Sequence, residues 1–249
     1  LVRVAHYNFS GAYCHHPDLP YVSSDHYYFD EARDIAVLLS GSIFNKQELY
    51  PLLNISVPVP DPSLLASLYL SEGPEFVRRL NGDFAIFILR PVKKQAYLFR
   101  DQVGVRPMYW ACENRIFMFS SDCLSMPRTI SDSHAIDTEY LLGYFKYVNY
   151  GRTPFKNVRH LLPGHYLEYS EKGVRITRYW EPEKIRIDRH LSYQDMLRDL
   201  KILVIDAVSI RADRRFNCGA HLSSGLDSAL VSALVRRKCF NQEKFYGFS

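Results

Sequence analysis

The sequence lacks the features that mark membrane, secreted and zinc-binding proteins. Its longest apolar run, residues 200–210, is interrupted by charge and is too short to span a bilayer. No signal peptide is recognisable. The five cysteines form an odd set without a Cys-x-x-Cys pair, which disfavours a disulfide framework or a zinc site and favours reduced thiols. We therefore expect a cytoplasmic protein with no membrane partner.

A strong excess of one charge is also missing. The 31 basic and 27 acidic residues leave a net charge of +4. The one dense basic cluster follows a predicted helix, and such short runs are usually solvated rather than bound to nucleic acid. It consists of Arg211, Arg214 and Arg215. We therefore expect no nucleic-acid partner.

Metal-ligand spacing is absent as well. Several candidate ligands lie near the start of the chain, but no helical or strand spacing puts three of them on one face. We interpret them as loop residues rather than as a metal site. They are His6, Cys14, His15, His16 and His26.

What the sequence does contain is a strand, a turn and a helix near its end. Residues 218–222 are short, largely apolar and bounded by small residues, as in a buried parallel strand. From 228 to 238, apolar residues recur at helical spacing and end on three cations, which suit the negative end of a helix dipole. The turn at 223–228, Ser-Ser-Gly-Leu-Asp-Ser, aims N–H groups and hydroxyls at one point, an arrangement that suits a phosphate.

This turn resembles the pyrophosphate-binding loop Ser-Gly-Gly-x-Asp-Ser of the asparagine synthetases and related AMP-forming ligases. The resemblance implies that the loop holds the phosphates of ATP and that Asp227 holds Mg²⁺. Ser224 stands where the family has its first glycine, so a positive φ there would strain it and weaken ATP binding. Helix capping is the alternative role for the serines and for Asp227. The implied phosphate ligands are the backbone of Leu222 and Gly225 and the hydroxyls of Ser223, Ser224 and Ser228.

The first two thirds of the chain resembles class II glutamine amidotransferase domains. The segment 40–45, Ser-Gly-Ser-Ile-Phe-Asn, is similar to Asn-Gly-Glu-Ile-Tyr-Asn, in which the first two residues help to form an oxyanion hole. A serine hydroxyl is a shorter and less constrained donor than an asparagine amide. Asp61 fits the Asp that holds the amino group of glutamine, although a helix-cap role fits equally well. The resemblance implies a vestigial glutamine site at Ser40, Gly41 and Asp61.

Two further segments carry the same resemblance: Asn-Gly-Asp-Phe-Ala at 81–85 and Arg-Asp-x-x-Gly-x-x-Pro-x-Tyr at 100–109. In the family these residues mainly shape turns, with Gly104 permitting a bend and Pro107 restricting the entry to the next strand. They fall within a predicted meander of four strands. The resemblance begins at about Ile35 and leaves the first 34 residues unmatched.

The resemblance implies an α+β fold in two parts. Residues 1–182 would form a degenerate type-2 amidotransferase-like domain, a sandwich of two stacked antiparallel sheets with flanking helices, as in Ntn hydrolases. Residues 183–249 would form the first β-α-β of a PP-loop ATP-binding domain. The start at Leu1 rather than Met, and the stop in a second strand, indicate a partial chain. Within 183–249, Ser192 is predicted to cap an amphipathic helix whose inner face carries Met196, Leu200, Leu203, Val204, Ala207 and Val208.

Catalysis by the amidotransferase half needs groups that this sequence does not supply. An active member uses an N-terminal cysteine whose own α-amino group acts as base. Residue 1 is Leu, and the Arg-Leu-Ser-Ile segment that grips the glutamine carboxylate has no match. We therefore assign no catalytic residue and expect an inactive glutaminase half.

Three functions remain open. The first is an AMP-forming ligase that makes asparagine from aspartate with ATP, Mg²⁺ and either glutamine or ammonia. The second is a β-lactam or lasso-peptide macrolactam synthetase, in which the substrate itself supplies the amine and no glutamine is needed. The third belongs to another class, a non-catalytic binding or scaffold module. The resemblance also admits a homodimer.

Overall fold

The computed structural model describes residues 2–6, 9–13, 25–126, 135–144, 151–212, 219–239 and 245–248. The chain forms two compact units: the described residues up to Glu183 belong to the larger unit, and those from Lys184 onward belong to the smaller one. Among the described residues, no helix combines the length and the apolar character needed to cross a membrane.

The larger unit contains three antiparallel sheets. A six-stranded sheet has the order β11-β10-β6-β5-β4-β3, a three-stranded sheet has the order β8-β7-β9, and β1 pairs with β2. The strands are β1 Val2–His6, β2 Phe9–Tyr13, β3 Tyr27–Asp30, β4 Ile35–Ile43, β5 Gly82–Arg90, β6 Gln95–Arg100, β7 Tyr109–Glu113, β8 Ile116–Ser120, β9 Arg159–His160, β10 His165–Ser170 and β11 Gly173–Arg178.

Strand β5 lies inside the six-stranded sheet, and both of its faces are buried. Successive side chains point to opposite faces of a strand. Phe84, Ile86 and Ile88 therefore enter one core cluster, and Ala85 and Phe87 enter the other. Each large apolar side chain that is fully buried contributes roughly 1.5–3 kcal/mol. This double burial explains why the predicted strand reads as a continuous apolar run.

The six-stranded and three-stranded sheets stack face to face. The rings of Phe87 and Phe119 stack at 4.2 Å, and those of Phe117 and Tyr169 stack at 4.7 Å. In both pairs one ring comes from each sheet. The predicted sandwich of two antiparallel sheets is therefore confirmed.

Helices cover the other face of the six-stranded sheet. Leu64, Leu65 and Leu68 are fully buried in the same cluster as β4 and β5. Phe76 adds an edge-to-face contact with Phe99 at 5.1 Å. The helical elements of this unit are α1 Lys46–Leu49, α2 Asp61–Glu72, α3 Thr138–Tyr144 and the 3₁₀ segments Pro51–Leu53, Gly73–Arg79 and Pro182–Lys184.

The first 34 residues contain strands that the sequence did not predict. Strand β3 forms one edge of the six-stranded sheet, and Tyr27 pairs with Leu38 of β4. Its residues are mostly aromatic and half-buried on both sides, so the alternation that marks a strand is missing.

The smaller unit contains one β-α-β element preceded by a long helix. Strand β12 pairs with β13 in parallel, and α5 lies between them in the sequence, as predicted. The Ser192 hydroxyl caps α4 by accepting a hydrogen bond from the Asp195 N–H at 3.2 Å. The elements are α4 Tyr193–Arg211, β12 Gly219–His221, α5 Leu226–Leu234, a π-helical turn Val235–Cys239 and β13 Tyr246–Phe248.

The predicted inner face of α4 is exposed. Met196, Leu200 and Leu203 are 46%, 57% and 65% exposed, and no residue of α4 is buried. The prediction that this face points inward is wrong for the described part of the chain. The periodicity correctly indicated an amphipathic helix, but the described elements of the smaller unit offer too little apolar surface to cover it.

Candidate functional site

The serine-rich loop lies at the carboxyl end of a parallel strand. Strand β12 ends at His221 and α5 begins at Leu226. The Leu222 N–H donates to the Phe248 carbonyl oxygen at 2.7 Å, which extends the parallel ladder by one bond. This edge of a parallel sheet, next to a helix N-terminus, is the usual position of a ligand-binding turn in open α/β folds.

The hydroxyls of Ser223 and Ser228 close the loop on itself. The Ser228 hydroxyl accepts from the Ser223 N–H at 3.2 Å and donates to the Gly225 carbonyl at 3.0 Å. The Ser223 hydroxyl contacts the Ser228 hydroxyl at 3.3 Å. Since a hydroxyl has one donor and two acceptor positions, Ser228 is saturated by these bonds. Both serines fix the shape of the loop.

Ser224 has the left-handed backbone that its position in the motif suggested. Its φ is +31°. For a residue with a Cβ, the left-handed region costs about 1–2 kcal/mol, whereas glycine enters it freely. The serine that replaces the family's glycine is therefore strained.

Helix α5 begins without a side-chain cap. Its N-cap is Gly225, and no side chain accepts a hydrogen bond from its first turn. The alternative in which Asp227 or the loop serines act as caps is therefore wrong, because Asp227 lies inside the first turn instead. The N–H groups of an uncapped first turn are available to an anion. The exposed Asp227 carboxylate is beside them and could coordinate a hard cation.

The second predicted region lies where β4 ends. Gly41 pairs with Phe84 of β5 and has a φ of +118°. A Cβ at this position would overlap the Asp83 carbonyl oxygen, so only glycine fits. Ser40 precedes it and is exposed.

Asp61 contacts the same end of β4. Its carboxylate accepts from the Ile43 N–H at 3.3 Å and binds the Lys46 ammonium at 2.8 Å. Its side chain is only 14% exposed. The helix-cap alternative is wrong, because the N-cap of α2 is Pro60 and Asp61 follows it. Ser40 lies three residues before Ile43, or about 10 Å along the strand, so the structure brings the predicted glutamine-site residues into one region.

Lys46 was missed by the sequence analysis. It faces Asp61 across 15 positions in the chain, and no local pattern predicts such a pair. The matching segment held a hint, because Lys46 directly follows the Asn45 that fits the family.

The segments 40–45 and 81–85, which both resemble the family, are joined by hydrogen bonds. The Asn45 side chain donates to the Arg79 carbonyl at 2.9 Å and accepts from the Asn81 N–H at 2.9 Å. The Asn81 carbonyl in turn accepts from the Phe44 N–H at 2.8 Å. The residues that carried the resemblance here join β4 to β5.

The segment 100–109 is a turn built around one buried carboxylate. Asp101 is fully buried and accepts from the N–H groups of four following residues, at 2.6–3.1 Å. Arg100 donates to the carbonyl oxygens of Arg106, Leu161 and Gly104. Burial lowers the pKa of Arg100, and the Asp101 charge opposes that shift. The predicted turn role of Gly104 fits its φ of +74°.

Among the described residues there is no metal cluster, and neither of the two thiols whose side chains are described is activated. No group of three or more His, Cys, Asp or Glu side chains in those residues could hold a metal. Cys112 and Cys123 are free, and burial raises the pKa of both thiols, so neither is activated. Cys14, His15, His16, Arg214 and Arg215 lie outside the described residues, as does Leu1.

Comparison with known proteins agrees with this geometry. Residues 23–180 match the family model described as glutamine amidotransferase domain, and residues 199–244 match the model described as asparagine synthase. The chain belongs to the asparagine synthetase family. The match begins at residue 23, so the interpretation that the resemblance leaves the first 34 residues unmatched is wrong for the last twelve of them. These include the edge strand β3, whose pattern is hard to recognise in sequence.

Individual relatives of this family cover most of the chain. Asparagine synthetase [glutamine-hydrolyzing] 3 of Bacillus subtilis is 26% identical over 208 residues, which are 80% of this chain and 33% of that protein. Amidase chyE of Penicillium rubens is 24% identical and covers 86% of this chain and 32% of its own length. Among solved structures, the B. subtilis glutamine phosphoribosylpyrophosphate amidotransferase is 13% identical with a TM-score of 0.40, covering 86% of this chain and 45% of that one. The chain spans about a third of the length of these curated relatives.

Proposed function

We propose that the whole protein is an ATP-dependent, AMP-forming amide-bond ligase that makes asparagine from aspartate, with glutamine or ammonia as the amine source. Residues 183–249 would be the start of its ATP-binding domain, and residues 1–182 a degenerate amidotransferase domain. The observation that carries the proposal is the loop 222–228, which follows a parallel strand and leads into an uncapped helix.

In this proposal the backbone does most of the phosphate binding. The N–H groups at the start of α5 and beside Gly225 would face the pyrophosphate part of ATP. Ser223 and Ser228 would hold the loop in shape, since their hydroxyls are bonded to each other. Asp227 would hold Mg²⁺, which neutralises phosphate charge while a carboxylate substrate is activated and pyrophosphate leaves.

We further propose that the glutaminase half is inactive. The Asp61 carboxylate already has an ammonium partner in Lys46 at 2.8 Å, so a substrate amino group would have to displace it. Ser40 supplies a hydroxyl in place of the directed amide donor of the family. Ammonia, or an amine on the substrate, would then be the nitrogen source.

The proposal is tested by pyrophosphate release from the complete gene product. With ATP, Mg²⁺ and aspartate plus ammonia, we expect pyrophosphate and asparagine. Leu226→Pro tests the loop with little disturbance of the fold, because proline is tolerated at the first position of a helix and removes only one backbone N–H. Gly225 before it is extended, as a residue preceding proline prefers. Losing a charge-assisted hydrogen bond should weaken ATP binding roughly tenfold or more. Unchanged ATP affinity in this variant would refute the assigned loop.

Two other functions are favoured by particular observations. A macrolactam or β-lactam synthetase type of ligase is favoured by the occupied Asp61, because such enzymes need no glutamine. A scaffold module is favoured by the strained Ser224. Aspartate-independent pyrophosphate release with another carboxylate would support the first, and no release with any carboxylate would support the second. Gel filtration of the complete protein tests the proposed homodimer.

A further inference from the structure

The larger unit has a cleft apart from the residues of the predicted glutamine site. Its volume is about 760 Å³, within the usual range for small-molecule sites. Three cations and two carboxylates line it: Arg152, Lys156, Arg159, Asp137 and Glu139. None of these residues was assigned a function by the sequence.

Arg152 is held in place by two carboxylates. Its Nε and Nη2 bind both oxygens of the buried Asp137 carboxylate at 2.6–3.1 Å, and Nη2 also reaches Glu139 at 3.1 Å. No described residue accepts a hydrogen bond from its Nη1. When one edge of a guanidinium is fixed, its remaining N–H groups can bind a ligand with little further loss of side-chain entropy.

The other two cations, Lys156 and Arg159, are exposed. Arg159 lies directly opposite Arg152 across an antiparallel bridge. Like charges in such a pair destabilise each other. Within the described part of the chain, neither Arg159 nor Lys156 forms an ion pair. The Arg152 hydrogen bonds and the Tyr140 N–H lower the pKa of Asp137, and the charge of Arg159, which lines the same cleft, adds to that effect.

We propose that this cleft binds the phosphate group of a small organic phosphate. Arg152, Lys156 and Arg159 would surround the phosphate oxygens, with Asp137 orienting Arg152. A phosphate group carries about −1.5 to −2 charges at neutral pH. With Asp137 and Glu139 both bound to Arg152, the five charged side chains of the cleft sum to +1. The phosphate would therefore lie against Lys156 and Arg159, and it would relieve the repulsion between the two arginines. The remaining volume would accommodate the organic part.

Calorimetric titration of the chain with pyrophosphate and inorganic phosphate, without divalent cations, tests this site. We expect the double variant Lys156→Ala, Arg159→Ala to bind pyrophosphate roughly tenfold or more weakly, because two charged contacts are lost. A matched double variant, Lys93→Ala and Lys172→Ala, removes the same charge from exposed turns and should keep the wild-type affinity. Circular dichroism checks that each variant is folded.

The Leu226→Pro variant separates this cleft from the proposed nucleotide loop. It should retain the pyrophosphate binding that the cleft variant loses. If the Lys156→Ala, Arg159→Ala variant and the Lys93→Ala, Lys172→Ala control bind pyrophosphate equally weakly, the attraction is a nonspecific effect of charge and the proposal is overturned. Loss of binding in Leu226→Pro alone would also overturn it, by assigning the anion to the loop.

Discussion

Replacing Ser224 by glycine should relieve the strain in the nucleotide loop. The left-handed φ of +31° costs a residue with a Cβ about 1–2 kcal/mol. Glycine avoids this cost but loses about 0.4–1 kcal/mol through its greater freedom in the unfolded chain. The net gain in folding stability is therefore about 0.8 kcal/mol, within a range of roughly 0–1.6 kcal/mol. A loop with the same backbone with and without ATP carries the same strain in both states, so the gain appears in folding stability and not in ATP affinity.

The assay is calorimetric titration of the complete gene product with ATP and Mg²⁺, together with urea unfolding. Ser224→Ala is the matched control, since it removes the hydroxyl but keeps the Cβ and hence the strain. We expect a higher unfolding free energy for Ser224→Gly, none of that gain for Ser224→Ala, and an unchanged ATP affinity for Ser224→Gly. If alanine and glycine raise the unfolding free energy alike, loss of the hydroxyl rather than relief of the backbone explains the gain, and the strain argument is refuted.

Three further predictions follow from the larger unit. Lys46→Met should change the unfolding free energy by less than about 1 kcal/mol, because the Lys46–Asp61 pair is partly exposed. The freed Asp61 carboxylate should then allow glutamine binding that calorimetry detects. Glutamine binding no stronger than in the wild type would contradict Asp61 as an amino-group site. Gly41→Ala should cost about 3 kcal/mol or more in urea unfolding, because the Cβ meets the Asp83 carbonyl at a positive φ, whereas Gly143→Ala, where a Cβ meets nothing, should not. Arg152 lowers the pKa of Asp137 below its ordinary value of 3.8. The Asp137–Arg152 ion pair therefore stabilises the fold fully above pH 3.8, and this contribution is lost as the pH falls through the lowered pKa of the folded state. Asp137→Asn should therefore flatten the acid side of the stability profile, and an unchanged slope would refute this.

The fold was largely predictable because its signals are local. The apolar runs of β5 and β6 and the turn residues around Gly104 lie close together in sequence. The two features that the sequence analysis missed, strand β3 and the exposure of α4, had no such local signal. Strand β3 is an edge strand without alternation, and the face of α4 looks like a core face because periodicity reports amphipathicity rather than the presence of a partner.

The candidate site was predictable in its backbone and less so in its side chains. The position of the loop 222–228 follows from a strand and a helix that are visible in the sequence. The partners of its polar groups do not, because several arrangements of hydroxyls satisfy the same residues. The Lys46–Asp61 pair joins a short helix to the start of the next helix, and such a contact depends on how the two pack.

The departures from the family pattern fall where the fold tolerates them, with one exception. Gly41 and Gly104 are kept at positions where a Cβ would collide with neighbouring atoms. Ser40 is exposed, so a change there affects chemistry more than stability. Ser224 differs, because its side chain adds strain to the structure that carries it. Strain of this kind persists only where surrounding contacts determine the backbone, and the bonds between Ser223 and Ser228 across the loop do so here. The strained loop is therefore evidence that its shape is maintained, and ATP affinity tests whether that shape binds a nucleotide.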